Sequence, residues 1–178
     1  MLEFNRRDLA FGTLTAGLAL SSVEAAAKSR GEISRTNAAI HQEIIFQASA
    51  AHLYQTLTVA EQFDHVVRLS GAMNSSMKAK LGTAPTAIDA QPGGAFAFFG
   101  GYITGRNLEL VSDTRIVQAW RAGSWDPHLY SIANFVLVPQ AAGTRLVFDH
   151  TGFPNTEAET LAKGWHENYW QPIANFLG

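Results

Sequence analysis

Residues 156–178 read TEAETLAKGWHENYWQPIANFLG. Leu161, Trp165, Tyr169, Ile173 and Leu177 recur every fourth residue, which draws one apolar stripe along a helix. Thr156 and Glu159 have the spacing of a capping box, in which side chains satisfy free amides of the first turn. The stretch therefore predicts a long C-terminal helix that buries one face. Two residues disturb it. Gly164 costs about 1 kcal/mol against Ala in a helix interior, and it predicts a close approach of the helix to its neighbour. Pro172 brings no N–H, leaves the Asn168 carbonyl without its helical donor, and predicts a kink beside Tyr169 and Trp170.

The residues ahead of this helix have the period of strands. Pro92-Gly93-Gly94 turns into Ala95–Phe99, Gly100-Gly101 into Tyr102–Val111, and Ser112-Asp113 into Arg115–Arg121. Tyr130–Val138 and Thr144–Thr151 follow, joined by Gln140-Ala141-Ala142-Gly143. Further upstream, Ile40, Gln42, Ile44 and Phe46 alternate with His41, Glu43, Ile45 and Gln47, a half-buried strand. Ser49 suits the cap of a short helix from Ala50, a second helix covers Val59–Val67, and Ser70–Thr86 reads as a long loop with one helical turn. Strand, two short helices, antiparallel meander and long helix make one α+β domain over residues 38–178. Its sheet of six or seven strands curves around the last helix. No Gly-rich phosphate loop joins a strand to a helix, and strands do not alternate with helices as in a dinucleotide-binding sheet.

Composition narrows the function classes. Apolar residues make up 47% of the 178, enough for a real core. A formal charge of −2 speaks against nucleic acid, which needs a concentrated basic face; the Lys78-Ala79-Lys80 pair reads as a solvated loop. Cysteine is absent, which removes disulfides, thiolate metal sites and a thiol nucleophile.

The chain opens on Asn5-Arg6-Arg7-Asp8 and a mild apolar run from Leu9 to Leu20, followed by Glu24-Ala25-Ala26-Ala27-Lys28. Basic start, apolar middle and small-residue site is the grammar of a signal peptide. The paired arginines resemble a twin-arginine export signal, which implies passage of a folded protein to the periplasm. Cleavage is expected after Ala27, with residues 28–37 as a flexible lead. The apolar run is shorter than the roughly 20 residues of a membrane span, so no stable span is expected after processing. Removing Arg6 and Arg7 from 13 basic residues, and Glu3, Asp8 and Glu24 from 15 acidic ones, leaves a nearly neutral domain.

Several ordered motifs carry a family likeness. They are Gly93-Gly94-Ala95-Phe96, Phe99-Gly100-Gly101-Tyr102-Ile103-Thr104-Gly105, Arg115-Ile116-Val117-Gln118-Ala119-Trp120-Arg121, Ser124-Trp125, Gly143-Thr144-Arg145-Leu146, Gly152-Phe153-Pro154, and Gly164-Trp165 with Tyr169-Trp170. From about Ile40 to Leu177 the chain resembles the C-terminal domain of the activator of the heat-shock-protein-90 ATPase. That family belongs to the SRPBCC group, with START lipid-transfer domains, birch-pollen allergen and polyketide cyclases. The resemblance implies a helix-grip fold with a cavity between sheet and long helix. It does not imply one activity, because this fold hosts carriers, cyclases, hydrolases and co-chaperones. The resemblance implies that the eukaryotic co-chaperone engages its cytosolic chaperone through a further N-terminal domain, whereas an export signal is expected at that place in this chain.

Phe46, Phe96, Phe98, Trp120, Trp165 and Tyr169 fall on faces expected to look inward. They read either as plain core or as the wall of a ligand pocket, which is usually about 300 Å³ or more and holds a few placed polar groups. The polar residues on the same parities are His150, with Leu146 and Phe148, and Gln118, with Ile116 and Trp120. His150 reads as a satisfied structural histidine or as a pocket contact. Asp149 and Arg145 share the opposite parity and read as a surface pair worth under ~1 kcal/mol. The six histidines show no metal-binding spacing. No nucleophile elbow is present, and Ser124 and Ser131 have no evident base. Acid-base catalysis would fall to His150, or to His128 or His166 at a pocket mouth.

Three functions remain: a carrier of a small apolar or amphipathic molecule, a cofactor-free cyclase- or hydrolase-type enzyme, and an interaction protein with a filled interior. A void lined by the named aromatics separates the first two from the third. A base touching that void separates the enzyme from the carrier.

Overall fold

The computed structural model describes residues 39–178; the segment read as signal peptide and lead lies outside the described residues. Seven strands form one antiparallel sheet: β1 (Ala39–Phe46), β2 (Ala87–Ile88), β3 (Ala95–Phe98), β4 (Ile103–Val111), β5 (Arg115–Ala122), β6 (Ser131–Gln140) and β7 (Gly143–Thr151). Their order is β1-β7-β6-β5-β4-β3-β2. The meander thus runs from β2 to β7, and β1 returns to pair with β7 from Ala39↔Thr151 to Phe46↔Thr144.

Between β1 and β2 lie two helices, α1 (Ala50–Thr58) and α2 (Ala60–Leu69), and a 3-10 turn over Ser76–Lys80. Ser49 caps α1 by accepting the His52 amide. The two-residue β2 and the 3-10 turn fall in a region whose small and polar residues give no periodic signal. The turn from β3 to β4 places Phe99, Gly100 and Gly101 at φ of 51°, 70° and 89°. Glycine takes such angles freely, whereas Phe99 is held there by its packing.

Alternation along the strands holds in detail. In β6, Ser131, Ala133, Phe135 and Leu137 are buried while the residues between them are not. A bulge between Asn107 and Glu109 breaks the register of β4. It leaves Leu108 exposed and turns Asn107 inward, where its Oδ1 accepts Gln118 Nε2 at 3.1 Å and its Nδ2 donates to the Asp89 carbonyl.

The C-terminal segment departs from the expected single helix. It consists of α3 (Ala158–Trp165), a π turn (His166–Trp170) and α4 (Gln171–Leu177). The capping box does not form. A 3-10 turn over Asn155–Glu157 follows Pro154, and Glu157 takes the cap position of α3 without a side-chain hydrogen bond. The expected kink at Pro172 is expressed as the π turn, in which the Gln171 amide reaches back five residues to His166. Pro172 offers no amide, so the Glu167 carbonyl has no donor one turn ahead and accepts from Gly71 at 3.2 Å instead. Gly164 brings no close approach to the sheet: a Cβ there would meet only Asn168 Nδ2, at 3.9 Å.

The expected Asp149–Arg145 pair is also corrected. Residues four apart on one strand are far from each other, and cross-strand neighbours are near. His41 bonds Asp149 at 2.6 Å and Glu43 pairs with Arg145 at 3.2 Å, both between β1 and β7.

The core lies between the concave face of the sheet and the C-terminal helices. Trp165, 2% exposed, anchors it against Phe148 at 4.4 Å, Trp120 at 5.5 Å and Phe135 at 5.8 Å between ring centroids. Replacing Trp165 by Ala is expected to cost about 3–5 kcal/mol, measured as a lowered urea midpoint at unchanged denaturant slope. A loss under about 1 kcal/mol would place the indole outside the cooperative core.

Candidate functional site

A cavity of about 190 Å³ opens between the β4–β5 end of the sheet and the α3–π segment. Its inner wall is aromatic: Phe99 from the β3–β4 turn, Trp120 from β5, Trp125 from the β5–β6 loop, and Trp165 and Tyr169 from the helix. Met77, Ser124 and Thr160 are exposed at the rim, with half-buried Glu157 beside them. The cavity is smaller than the expected ~300 Å³. Wider hollows exist, one of about 470 Å³ beside Gly71 and Gln171, but they are more open surface depressions without the aromatic wall.

Of the residues expected to form the pocket wall, Trp120, Trp165 and Tyr169 line this cavity. Phe46, Phe96 and Phe98 do not. Phe96 and Phe98 stack at 4.7 Å, Phe63 lies 4.3 Å from Phe98, and Phe46 is buried at the far end of β1. Gln118 is occupied with Asn107 and borders only a void of about 10 Å³ shared with Tyr169, at the lower limit for one water. His128 and His166 are exposed and away from the cavity.

His150 sits behind the wall rather than in it. Trp165 Nε1 can only donate, and it donates to His150 Nδ1 at 2.9 Å. The proton of the neutral ring therefore rides on Nε2, which donates to Ser131 Oγ at 2.7 Å. Ser131 in turn donates to the Trp120 carbonyl at 2.9 Å. Ser131 thus has a histidine beside it, which the sequence does not reveal. The imidazole points its hydrogen at the hydroxyl and offers no lone pair to take the hydroxyl proton. The arrangement orders two cavity tryptophans and is not set for nucleophilic attack.

Among the described residues, buried Trp120 Nε1 and Tyr169 Oη, both on residues that line the cavity, make no hydrogen bond of good geometry, although indole and phenol lie near enough to influence each other. Burial pushes the Tyr169 phenol well above its ordinary pKa, against a smaller opposing effect of the Trp120 indole. Among the described residues that line the cavity, Glu157 is the carboxylate and there is no Lys, Arg or His. No group of three His, Cys, Asp or Glu suited to a metal occurs among the described residues.

Phe99, Tyr102 and Trp125 escape a parity argument because they stand in turns, where period-two alternation does not apply. A usable signal is their type: large aromatics at turns beside Gly100-Gly101 and Gly123 must bury somewhere or remain as exposed apolar surface.

A curved antiparallel sheet that grips a C-terminal helix over a partly filled interior defines the helix-grip class. Residues 47–178 match the family model described as Activator of Hsp90 ATPase homolog 1-like protein, and the chain belongs to that family. Over 139 residues it is 27% identical to the Activator of 90 kDa heat shock protein ATPase homolog 2 of Mus musculus, an alignment that covers 78% of this chain and 38% of that protein. The chain thus corresponds to well under half the length of that relative. An HSP90 activator from Plasmodium falciparum superposes with a TM-score of 0.65 at 22% identity, over 79% of this chain and 96% of that one. CalU16 from Micromonospora echinospora superposes with a TM-score of 0.61 at 15% identity, over 80% and 77%. At these identities the two structures speak for the fold alone.

Burial lowers the His150 pKa from 6.5 to about 3. The unfolded chain takes up that proton near the ordinary value, so this contribution to stability is complete above about pH 6.5 and is lost as pH falls towards about 3. His41 acts in the opposite sense. Its hydrogen bond to Asp149 raises its pKa, so its contribution is complete below about pH 6.5 and fades as pH rises through the folded value. Urea midpoints between about pH 7 and pH 4 are therefore expected to fall more steeply for the wild type than for His150→Gln. Parallel curves would mean that His150 is not held neutral.

Proposed function

We propose that the domain binds a small, largely apolar molecule in the 190 Å³ cavity, and that it does so after export to the periplasm. The observation that carries the binding reading is the cavity wall itself: Phe99, Trp120, Trp125, Trp165 and Tyr169 around a void that the side chains leave unfilled. A packed interior leaves few voids larger than a water. Unpartnered Trp120 Nε1 and Tyr169 Oη add polarity to side chains of that wall, the mixture typical of ligand sites. No histidine, lysine or arginine among the described residues lines the cavity, which favours carriage over acid-base catalysis.

A second reading, a protein-binding role akin to a co-chaperone, draws on the family and on the 27% identity with the mouse ATPase activator homolog. That relative is much longer than the stretch matched here.

Gly164 separates binding from stability. Leucine at this position adds its side chain to the cavity wall, where a Cβ has open space, and it removes the helix penalty of glycine. Gly164→Leu is expected to keep or raise the urea midpoint and to abolish saturable binding of an environment-sensitive apolar dye. Equal dye binding in both proteins would place the dye elsewhere and remove support for the cavity as a binding site. For export, replacing Arg6 and Arg7 by lysine is expected to hold the protein in the cytoplasm on cell fractionation. Unchanged delivery to the periplasm would reject the twin-arginine route.

A further inference from the structure

We propose that the cavity selects an uncharged single-ring molecule that carries one hydrogen-bond acceptor, and that the side-chain amide of Asn168 reads that acceptor. The inference rests on the ligand-binding reading above and specifies the ligand class.

The amide is fixed from one side. Asn168 Oδ1 accepts the Ala72 N–H at 2.8 Å and lies 3.6 Å from where a Cβ on Gly71 would stand. Nδ2 points the other way, 3.9 Å from where a Cβ on Gly164 would stand. Gly164 belongs to the cavity wall. Rotating the amide by half a turn would set Nδ2 against the Ala72 N–H, donor against donor, so the orientation is determined. Its two hydrogens have no acceptor among the described residues. They form a positioned donor at the edge of an aromatic chamber.

Charge and size complete the description. Glu157 places a carboxylate at the rim, and no cation lines the wall among the described residues. An anion entering here would lose hydration and find no counter-charge. A cation would meet the Asn168 donor hydrogens, and the tryptophan rings are largely engaged with each other, Trp120 with Trp125 at 5.3 Å and Trp165 at 5.5 Å. An apolar cavity of about 150 Å³ takes up benzene; one of about 190 Å³ takes a six-membered ring with a short substituent.

The test is a panel of four ring compounds of similar shape, titrated into the folded protein and followed by quenching of tryptophan fluorescence. They are acetophenone, ethylbenzene, benzoate and phenyltrimethylammonium. Acetophenone is expected to bind about three- to tenfold tighter than ethylbenzene, the gain of one neutral hydrogen bond, and both charged rings are expected to bind more weakly than either. Asn168→Asp keeps the oxygen that accepts Ala72 N–H and removes the donor, so it is expected to erase the preference for the ketone. Glu157→Gln is expected to narrow the gap between acetophenone and benzoate by strengthening benzoate. Equal affinity for acetophenone and ethylbenzene in the wild type overturns the inference and leaves the ligand-binding reading standing. A preference for either charged ring overturns it as well. Binding of none of the four overturns both. The wild-type panel decides the ligand class even where a variant fails to fold, and a ketone preference kept in folded Asn168→Asp overturns the assignment to Asn168 and leaves Trp120 Nε1 or Tyr169 Oη as the donor.

Discussion

The hydrogen bond from Trp165 Nε1 to His150 Nδ1 is the interaction on which the rest of this interior depends. A tryptophan buried at the centre of a helix–sheet interface brings a donor that must be met. Here the acceptor is a neutral histidine on β7, whose own proton continues to Ser131 on β6 and then to the backbone of Trp120 on β5. One directional chain thus links the helix to three adjacent strands. Each member uses the donor or acceptor its neighbour lacks, and burial that keeps His150 uncharged also keeps the direction of the chain fixed. Both tryptophans at its ends face the cavity. The polar thread holds the aromatic wall in place, and the void persists because its walls are anchored from behind.

A second constraint acts at the open side. Pro172 cannot supply an amide, and the helix answers with a π turn that leaves the Glu167 carbonyl free for Gly71. Asn168, in the same turn, takes Ala72. Two hydrogen bonds therefore tie the loop after α2 to the helix and bring Ala72, Met77 and Leu81 over the cavity. A proline that would merely bend an isolated helix here exposes a backbone acceptor where another segment can use it. The π turn shapes the cavity edge through that contact.

Much of this architecture was legible in the sequence, and the limits have physical causes. Period-two alternation placed Trp120, Phe148 and His150 on the inner face because a strand offers a side chain only two directions. It could not say which inner residues touch each other. His150 and Gln118 face inward as expected, yet His150 spends its ring nitrogens on Ser131 of β6 and Trp165 of the helix, and Gln118 donates to Asn107 of β4; such pairings are long-range properties. Phe46, Phe96 and Phe98 satisfy the same pattern and simply pack. The capping box at Thr156 failed because Pro154 starts a 3-10 turn first. The two-residue β2 pairs with β3 through backbone groups, which leave no mark in side-chain periodicity. Phe99, Tyr102 and Trp125 reach the cavity from turns, where no period applies. The reading of residues 1–37 lies outside the described residues.

Family membership and cavity constrain function differently. The helix-grip frame is compatible with partners as unlike as a lipid, a polyketide and a chaperone, because the sheet and the helix need only close around each other. What varies is what occupies the interval between them. In this chain the interval is bordered by tryptophans oriented by hydrogen bonds behind them, a glycine that withholds a side chain, and an asparagine fixed by a backbone amide. A protein-docking role would ask little of these residues, since a filled interior would present the same outer surface. The proposed ligand would occupy the roughly 190 Å³ left between them, whereas a docking role gives that space no task.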